Sequence, residues 1–361
     1  MEYWLRRGDA EYSFDAPEEA SIYEAQPSFK TAENIGDKLA KMDEFLNGRL
    51  ILIDYAHPLE PYINLLKGRV SQDALLILTC WRLGDERKEL KILQEIKSLL
   101  PNVNVYSASQ LKNPSGELRS RLSEFIKTEG EVTCIYPMTP ITELVSPMLK
   151  NVALWILAGM RDAGLSEHLE VRFVGIAYDQ KGTIIDITSG KVGCHDAYNI
   201  ELKNQFDCIV VSPGGNPYDD NFYQSLQSLY GVYQSVKKGG TIILTAECIE
   251  GVGSREFAKL LSAKRKKDAD QEARDSKTPF EGILLDFLER IKEKSRIYLV
   301  SPIPRTIAQS FLEIKVFDAL QDAVQQAIRL HSRSLSMCIV PYGNFTRLVV
   351  GKEASPEEQR M

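Results

Sequence analysis

The chain has no long apolar run. Its most apolar stretches, Ala74–Trp81 and Asn151–Met160, fall well short of the roughly 20 residues a bilayer-spanning helix needs, so no membrane association is expected. Met1-Glu2-Tyr3-Trp4-Leu5-Arg6-Arg7 contains no apolar core of a secretory signal. Charge of neither sign is in great excess: 44 basic residues stand against 50 acidic ones, a formal net of −6. Without a basic surplus there is little to neutralise phosphates, which excludes nucleic acid as the expected partner. The six cysteines (Cys80, Cys134, Cys194, Cys208, Cys248 and Cys338) show no Cys-x-x-Cys spacing, and several lie inside apolar runs. Buried thiols and a reducing, cytoplasmic setting follow, with no disulfide framework.

What is present is the composition of a globular protein. The 361 residues are 43% hydrophobic, enough for about two domains with cores of their own. Short apolar runs predict strands at Leu50–Asp54, Ala74–Cys80, Val103–Tyr106 and Val132–Tyr136, then at Cys208–Ser212, Thr241–Thr245, Ile297–Val300 and Glu313–Phe317. Amphipathic stretches separate them. Ile92, Ile96, Leu99 and Leu100 share one helical face, as do Leu320, Ala323, Val324, Ala327 and Ile328, with Asp318 as the expected N-cap. Alternation of strand and helix predicts an α/β fold of two domains, with mostly parallel sheets covered by helices and a ligand cleft between them. The segment Val171–Ile187, with a turn at Asp179-Gln180-Lys181-Gly182, predicts a hairpin near the junction. The expected domains are 1–170 and 171–361. Lys264–Lys277 is highly charged and reads as a solvated helix or loop, and the tail after Lys352 is polar.

The most informative stretch is Asp207–Leu260. A buried strand leads into Pro213-Gly214-Gly215-Asn216-Pro217-Tyr218-Asp219-Asp220, a helix follows, and Gly239-Gly240 would end it. The next strand leads into Glu247-Cys248-Ile249-Glu250-Gly251-Val252-Gly253. Both loops leave the carboxyl ends of predicted parallel strands, where open α/β sheets bind ligands, and should lie side by side. Gly214 and Gly215 would let backbone N–H groups approach an anion. The plainer alternative is two chain reversals. Neither Gly-x-Gly-x-x-Gly nor Gly-x-x-x-x-Gly-Lys-Ser/Thr occurs there.

Ser-Pro-Gly-Gly-Asn-Pro-Tyr-Asp-Asp-Asn-Phe-Tyr-Gln, followed by Lys-Gly-Gly-Thr-Ile-Ile and Ala-Glu-Cys-Ile-Glu-Gly-Val-Gly, resembles the carboxyl-terminal domain of the nickel-pincer lactate racemase family. Gly182–His195, Ser301–Pro304 and Asp318–Arg329 add weaker similarity. In the first half, Ile51–Pro58 resembles a family strand ending in Asp-x-Thr-Arg-Pro, so Asp54 and Pro58 match and His57 stands in the place of Arg. Leu76–Arg82 resembles a strand ending in Thr-Gly-x-His, with Arg82 in the place of a catalytic His. The resemblance implies an isomerase, a racemase or epimerase of small hydroxy acids. Its cofactor would be a pyridinium that holds nickel through carbon and sulfur and accepts hydride.

The same resemblance marks what is missing. The attachment Lys of a Gly-Gly-Arg-Lys stretch does not occur between Val132 and Glu170, where Tyr136-Pro137-Met138-Thr139-Pro140-Ile141-Thr142-Glu143 stands and the first Lys is Lys150. A covalently attached nickel-pincer nucleotide is therefore not expected, and whether another cofactor or metal binds is left open. Gln224 matches a family glutamine, while Gln227 replaces a substrate-binding Lys. Racemisation needs a base with a pKa near the working pH. The four histidines, His57, His168, His195 and His331, lie on four separate segments. His168 and His331 read as helix-end residues and His195 as a turn residue. His57, after a strand end, is the candidate catalytic group together with Asp54. Arg82 cannot act as a base but can hold a carboxylate or phosphate, unless it pairs with Asp85 or Glu86. Tyr223, Gln224 and Gln227 would line one polar helix face and, with Arg82, Gly214 and Gly215, bind a small anionic metabolite. Three readings remain: a racemase or epimerase with altered groups, a non-catalytic binding or regulatory protein, and an enzyme of another class acting on an anion.

Overall fold

The computed structural model describes residues 1–46, 50–112, 115–129, 131–146, 149, 170–265 and 279–351. All but the first two residues of the charged segment Lys264–Lys277, the tail beyond 351 and His168 lie outside the described residues. The strands are β1 Glu2–Arg7, β2 Ala10–Asp15, β3 Ser21–Glu24, β4 Leu50–Asp54, β5 Leu75–Thr79, β6 Asn104–Ser107, β7 Glu131–Pro137, β8 Glu170–Tyr178, β9 Ile184–Ser189, β10 Asn199–Leu202, β11 Phe206–Val211, β12 Val236–Thr245, β13 Arg296–Val300, β14 Lys315–Phe317, β15 Ser336–Val340 and β16 Arg347–Val350. The helices used below are α1 Ile35–Phe45, α2 Glu60–Leu66, α3 Glu86–Leu99, α4 Gly116–Glu129, α5 Phe222–Leu226, α6 Arg255–Arg265, α7 Pro279–Lys294 and α8 Leu320–His331.

The chain forms two compact units: a central unit of Phe29–His195, and a split unit of Met1–Ser28 with Asp196–Met361. This differs from a division after residue 170. The hairpin β8–β9, with its turn at Asp179–Gly182, belongs to the central unit because β8 pairs in parallel with β7 over its first seven residues. Conversely, the first 28 residues belong with the carboxyl-terminal part, because β3 pairs in parallel with β15. Hydrogen bonding, not sequence distance, sets both memberships.

The central unit is built on a six-stranded sheet ordered β6-β5-β4-β7-β8-β9, parallel except for β9. Every residue of β4 and β5 is buried, which is why both read as unbroken apolar runs rather than alternating ones. The chain moves outward from β4 to β5 and β6, then returns to place β7 on the other side of β4. This order creates a topological switch point at the carboxyl ends of β4 and β7.

The split unit repeats the plan with β14-β13-β12-β11-β15-β3, all parallel, and the switch point falls at β11 and β15. One face is covered by α8 and by the β1–β2 hairpin: Leu320, Ala323, Val324 and Ala327 pack with Leu5, Phe14, Val210, Ile243 and Ile339 in a single core cluster. The i, i+3, i+4, i+7 spacing of those α8 residues produces this contact. The N-cap of α8 is Ala319 without a side-chain bond, and Asp318 pairs with Arg305 at 2.5 Å instead. Gly239 and Gly240 do not end a helix. The helix after the Pro213 loop is short, followed by a 3-10 turn at Gln227–Leu229, and the glycines lie inside β12 where its register against β11 shifts.

Candidate functional site

In the central unit, Asp54 ends β4, Arg82 sits in a 3-10 turn just after β5, and Thr142 follows β7. Asp54 and Arg82 are 0% and 3% exposed. Arg82 donates to Asp54 Oδ2 from Nε at 3.2 Å and from Nη2 at 2.9 Å, and Nη2 also reaches Thr142 Oγ1 at 3.1 Å. Thr142 in turn donates to the Pro137 carbonyl at 2.6 Å. One guanidinium therefore ties together the ends of three neighbouring strands across the switch point. Burial holds the Asp54 carboxyl above its ordinary value, an effect that the Arg82 charge and the Arg82 and Trp81 hydrogen bonds oppose without cancelling. The expected bidentate hold of Arg82 on a ligand carboxylate is corrected in part, since two of its donors are already committed to Asp54. Asp85 caps α3 through Arg87 N at 2.9 Å and binds the Arg87 side chain.

His57 lies in the loop after β4, and three tyrosines hold that loop. Tyr62 Oη donates to the Asp54 carbonyl at 3.1 Å and accepts from Ala56 N at 3.1 Å. Tyr178 Oη donates to the His57 carbonyl at 3.1 Å. Tyr55 Oη stands 3.1 Å from His57 Nδ1, with the two rings edge to face. Gly182, at φ +84° in the β8–β9 turn, allows that turn to lie against Pro58: a Cβ there would stand 2.9 Å from Pro58 Cγ. Burial, with Lys88 and Lys91 nearby, pushes the imidazole down to about 3. Burial therefore favours the uncharged imidazole at neutral pH and makes it a weak base, at odds with a proton-accepting role. The tyrosines were not among the expected site residues. The only sequence signal was Tyr55 two residues before His57.

The other histidines are placed structurally. His195 Nε2 is 3.0 Å from Asp186 Oδ2, and Asp186 also accepts from Lys38 at 2.6 Å. His331 Nε2 is 2.9 Å from Thr241 Oγ1 at the end of α8.

In the split unit the Pro213–Asp220 and Glu247–Gly253 loops lie side by side. Cys248 N donates to the Asp219 carbonyl at 2.7 Å and Glu250 N to the Asp220 carbonyl at 2.8 Å. The tip of the β1–β2 hairpin joins them. Asp219, 0% exposed, accepts at Oδ2 from Gly8 N at 2.7 Å and from Glu247 N at 3.0 Å, while Asn216 N donates to the Gly8 carbonyl at 2.9 Å. Gly214 N is taken by Ser212 Oγ at 3.1 Å. Gly214 and Gly215 do adopt the left-handed region, at φ +125° and +77°, but a Cβ on Gly215 would stand 2.6 Å from the Gly8 carbonyl oxygen. The expected anion cradle is thus a docking loop for the hairpin. Tyr223 packs edge-on against Phe257 at 5.1 Å, Gln224 Nε2 donates to the Pro217 carbonyl at 2.7 Å, and Gln227 opens the following 3-10 turn. All three are buried, so they do not line an open polar helix face.

These features define an α/β protein with two parallel-rich sheets, each with its own switch point. Residues 202–346 match the family described as lactate racemase C-terminal domain. The chain is 39% identical over 143 residues to the lactate racemase of Thermoanaerobacterium thermosaccharolyticum, covering 39% of this chain and 31% of that protein. Over 92 residues it is 32% identical to the lactate racemase of Lactiplantibacillus plantarum, covering 23% and 22% of the two chains. These matches span a third or less of the relatives' lengths. The structure of the lactate racemase apoprotein from T. thermosaccharolyticum superposes with a TM-score of 0.63 at 16% identity, over 97% of this chain and 100% of that one, which establishes a shared fold. No helix among the described residues is long and apolar enough to cross a membrane.

The described residues do not fit a nickel-pincer group. Among them no three His, Cys, Asp or Glu side chains stand close enough to hold a metal, and the cysteines nearest Asp54, Cys80 and Cys134, are buried thiols pushed well up by desolvation.

Proposed function

We propose that this chain binds a small hydroxy acid, or a closely related small carboxylate, at the carboxyl ends of β4, β5 and β7, and that racemisation or epimerisation is its reaction class. The single observation that supports this most is the Asp54–Arg82–Thr142 bridge across the switch point. A charged pair taken fully out of water is a poor way to gain stability alone, so its retention at the crevice of an open α/β sheet favours a functional role. The likeness to lactate racemases supplies the substrate class. A second reading, a binding or regulatory protein without turnover, is favoured by the uncharged state of His57 and by the missing attachment segment. The two readings divide on one assay. Purified full chain is incubated with L-lactate and followed by chiral chromatography, with calorimetry alongside. Appearance of D-lactate supports the racemase, saturable heat without conversion supports the binding protein, and neither signal removes both.

A further inference from the structure

We infer that Tyr55 holds His57 as the tautomer protonated on Nε2, so that His57 meets an anionic ligand as an uncharged hydrogen-bond donor and not as the base that moves its proton. This rests on the reading of the β4 loop as part of a carboxylate-binding site. Tyr55 is fully buried at 0% exposure, and a phenol O–H taken out of water needs an acceptor. The acceptor within reach is His57 Nδ1, at 3.1 Å. An uncharged imidazole carries one proton. If Nδ1 accepts from Tyr55, the proton sits on Nε2, and that nitrogen is a donor.

The surroundings agree from every side. Lys88 and Lys91 of α3 act on the ring as positive charges and oppose a second proton. The His57 carbonyl is fixed by Tyr178, and Ala56 N by Tyr62, so the backbone that carries the imidazole beside Tyr55 is held in place. Where the family pattern has Arg, an Nε2–H keeps the donor and gives up the charge. The same nitrogen cannot abstract a proton, because its lone pair is in the ring's π system.

The test reads the tautomer directly. Long-range proton–nitrogen correlation spectra of the full-length 15N-labelled chain are recorded between pH 8 and pH 5, with His57 assigned by loss of its signals in His57→Gln. The expected result is a pyrrole-type Nε2 and a pyridine-type Nδ1, unchanged over that range, and in Tyr55→Phe a mixture in which Nδ1 carries part of the proton. A pyrrole-type Nδ1 in the wild type, conversion to imidazolium above pH 5, or an unchanged pattern in folded Tyr55→Phe would overturn the inference. If Tyr55→Phe does not fold, the wild-type spectrum still decides. Sodium L-lactate and D-lactate are then titrated in. A shift of the Nε2 proton supports the donor role, and saturable calorimetric binding with no such shift overturns it. No binding at all removes the carboxylate-site reading and the ligand role, while the tautomer is judged separately on the spectrum.

Discussion

The two units follow one plan and use it differently. In both, a central strand (β4 or β11) is flanked by the next strand on one side and by a later one on the other, which leaves a switch point at the carboxyl ends. In the central unit that point holds a buried ion pair, an uncharged His and three loop-binding tyrosines. In the split unit, the one with the glycine-rich loop, it is closed by the chain itself: the hairpin tip at Gly8 takes the loop's Asn216 N–H and is held by Asp219. The lesson is about donors. A glycine-rich loop after a parallel strand binds an anion only through N–H groups that are not already committed, and here a segment about 200 residues earlier takes the Asn216 N–H while Ser212 takes that of Gly214.

The comparison can be broken first by removing a charge from the central unit. Arg82→Met leaves the Asp54 carboxyl buried without its cation and should cost about 3–5 kcal/mol in urea unfolding. The double variant Asp54→Leu/Arg82→Met should recover much of that loss, because two uncharged side chains replace the pair. Equal stability of Arg82→Met and wild type would show that the pair is not the anchor described.

In the split unit, Asp219→Ala strands the buried N–H of Gly8 and the half-buried N–H of Glu247, and should cost about 2–3 kcal/mol. Limited proteolysis should then cut within residues 1–28, because the hairpin has lost its latch. Asp219→Asn keeps an acceptor for both donors and should be much milder. Cleavage elsewhere with an intact hairpin would break the docking-loop account.

Two pH effects sharpen the comparison. The unfolded His57 takes up a proton below pH 6.5, whereas the folded one does so only near 3. Its stabilising contribution is therefore complete above 6.5 and is lost as pH falls. Between pH 7 and pH 5 the wild type should lose about 2 kcal/mol that His57→Gln does not lose. The smallest effect belongs to the split unit. Burial pushes the Asp207 carboxyl up, but bonds from Lys237 and Ser336 outweigh it and bring it from 3.8 to about 2. Its contribution is complete above 3.8 and is lost as pH falls toward 2, by about 1 kcal/mol between pH 4 and pH 3, and Asp207→Asn should abolish that slope.

Much of the fold was legible in the sequence. The eight predicted strands all occur, since buried parallel strands read as apolar runs, and the hairpin turn falls at Asp179–Gly182. What was missed is instructive. β15 lies next to β11 in the middle of its sheet, yet Ser336–Val340 is short and was passed over. β1, β2 and β3 mix polar and aromatic residues at a chain end, where a local pattern says nothing about pairing with β15 or docking on α8. Asp54, His57 and Arg82 were named from motif positions, and the structure brings Asp54 and Arg82 into contact. Their partners Thr142 and Tyr178 are distant in sequence, and Tyr62, only eight residues beyond Asp54, carries no motif of its own. Gly214 and Gly215 were read as a place where backbone N–H groups could meet an anion, and no local pattern indicates that Gly8 packs against that loop.

The central claim is that ligand recognition belongs to the β4 loop of the central unit and not to the glycine-rich loop of the split unit. The direct test is isothermal titration of L- and D-lactate into the full chain as wild type, His57→Ala and Asp219→Asn. The account predicts saturable binding to wild type, about tenfold weakening in His57→Ala through loss of one buried donor, and no change in Asp219→Asn. Equal binding by wild type and His57→Ala, or loss of binding in Asp219→Asn with His57→Ala unaffected, would contradict it.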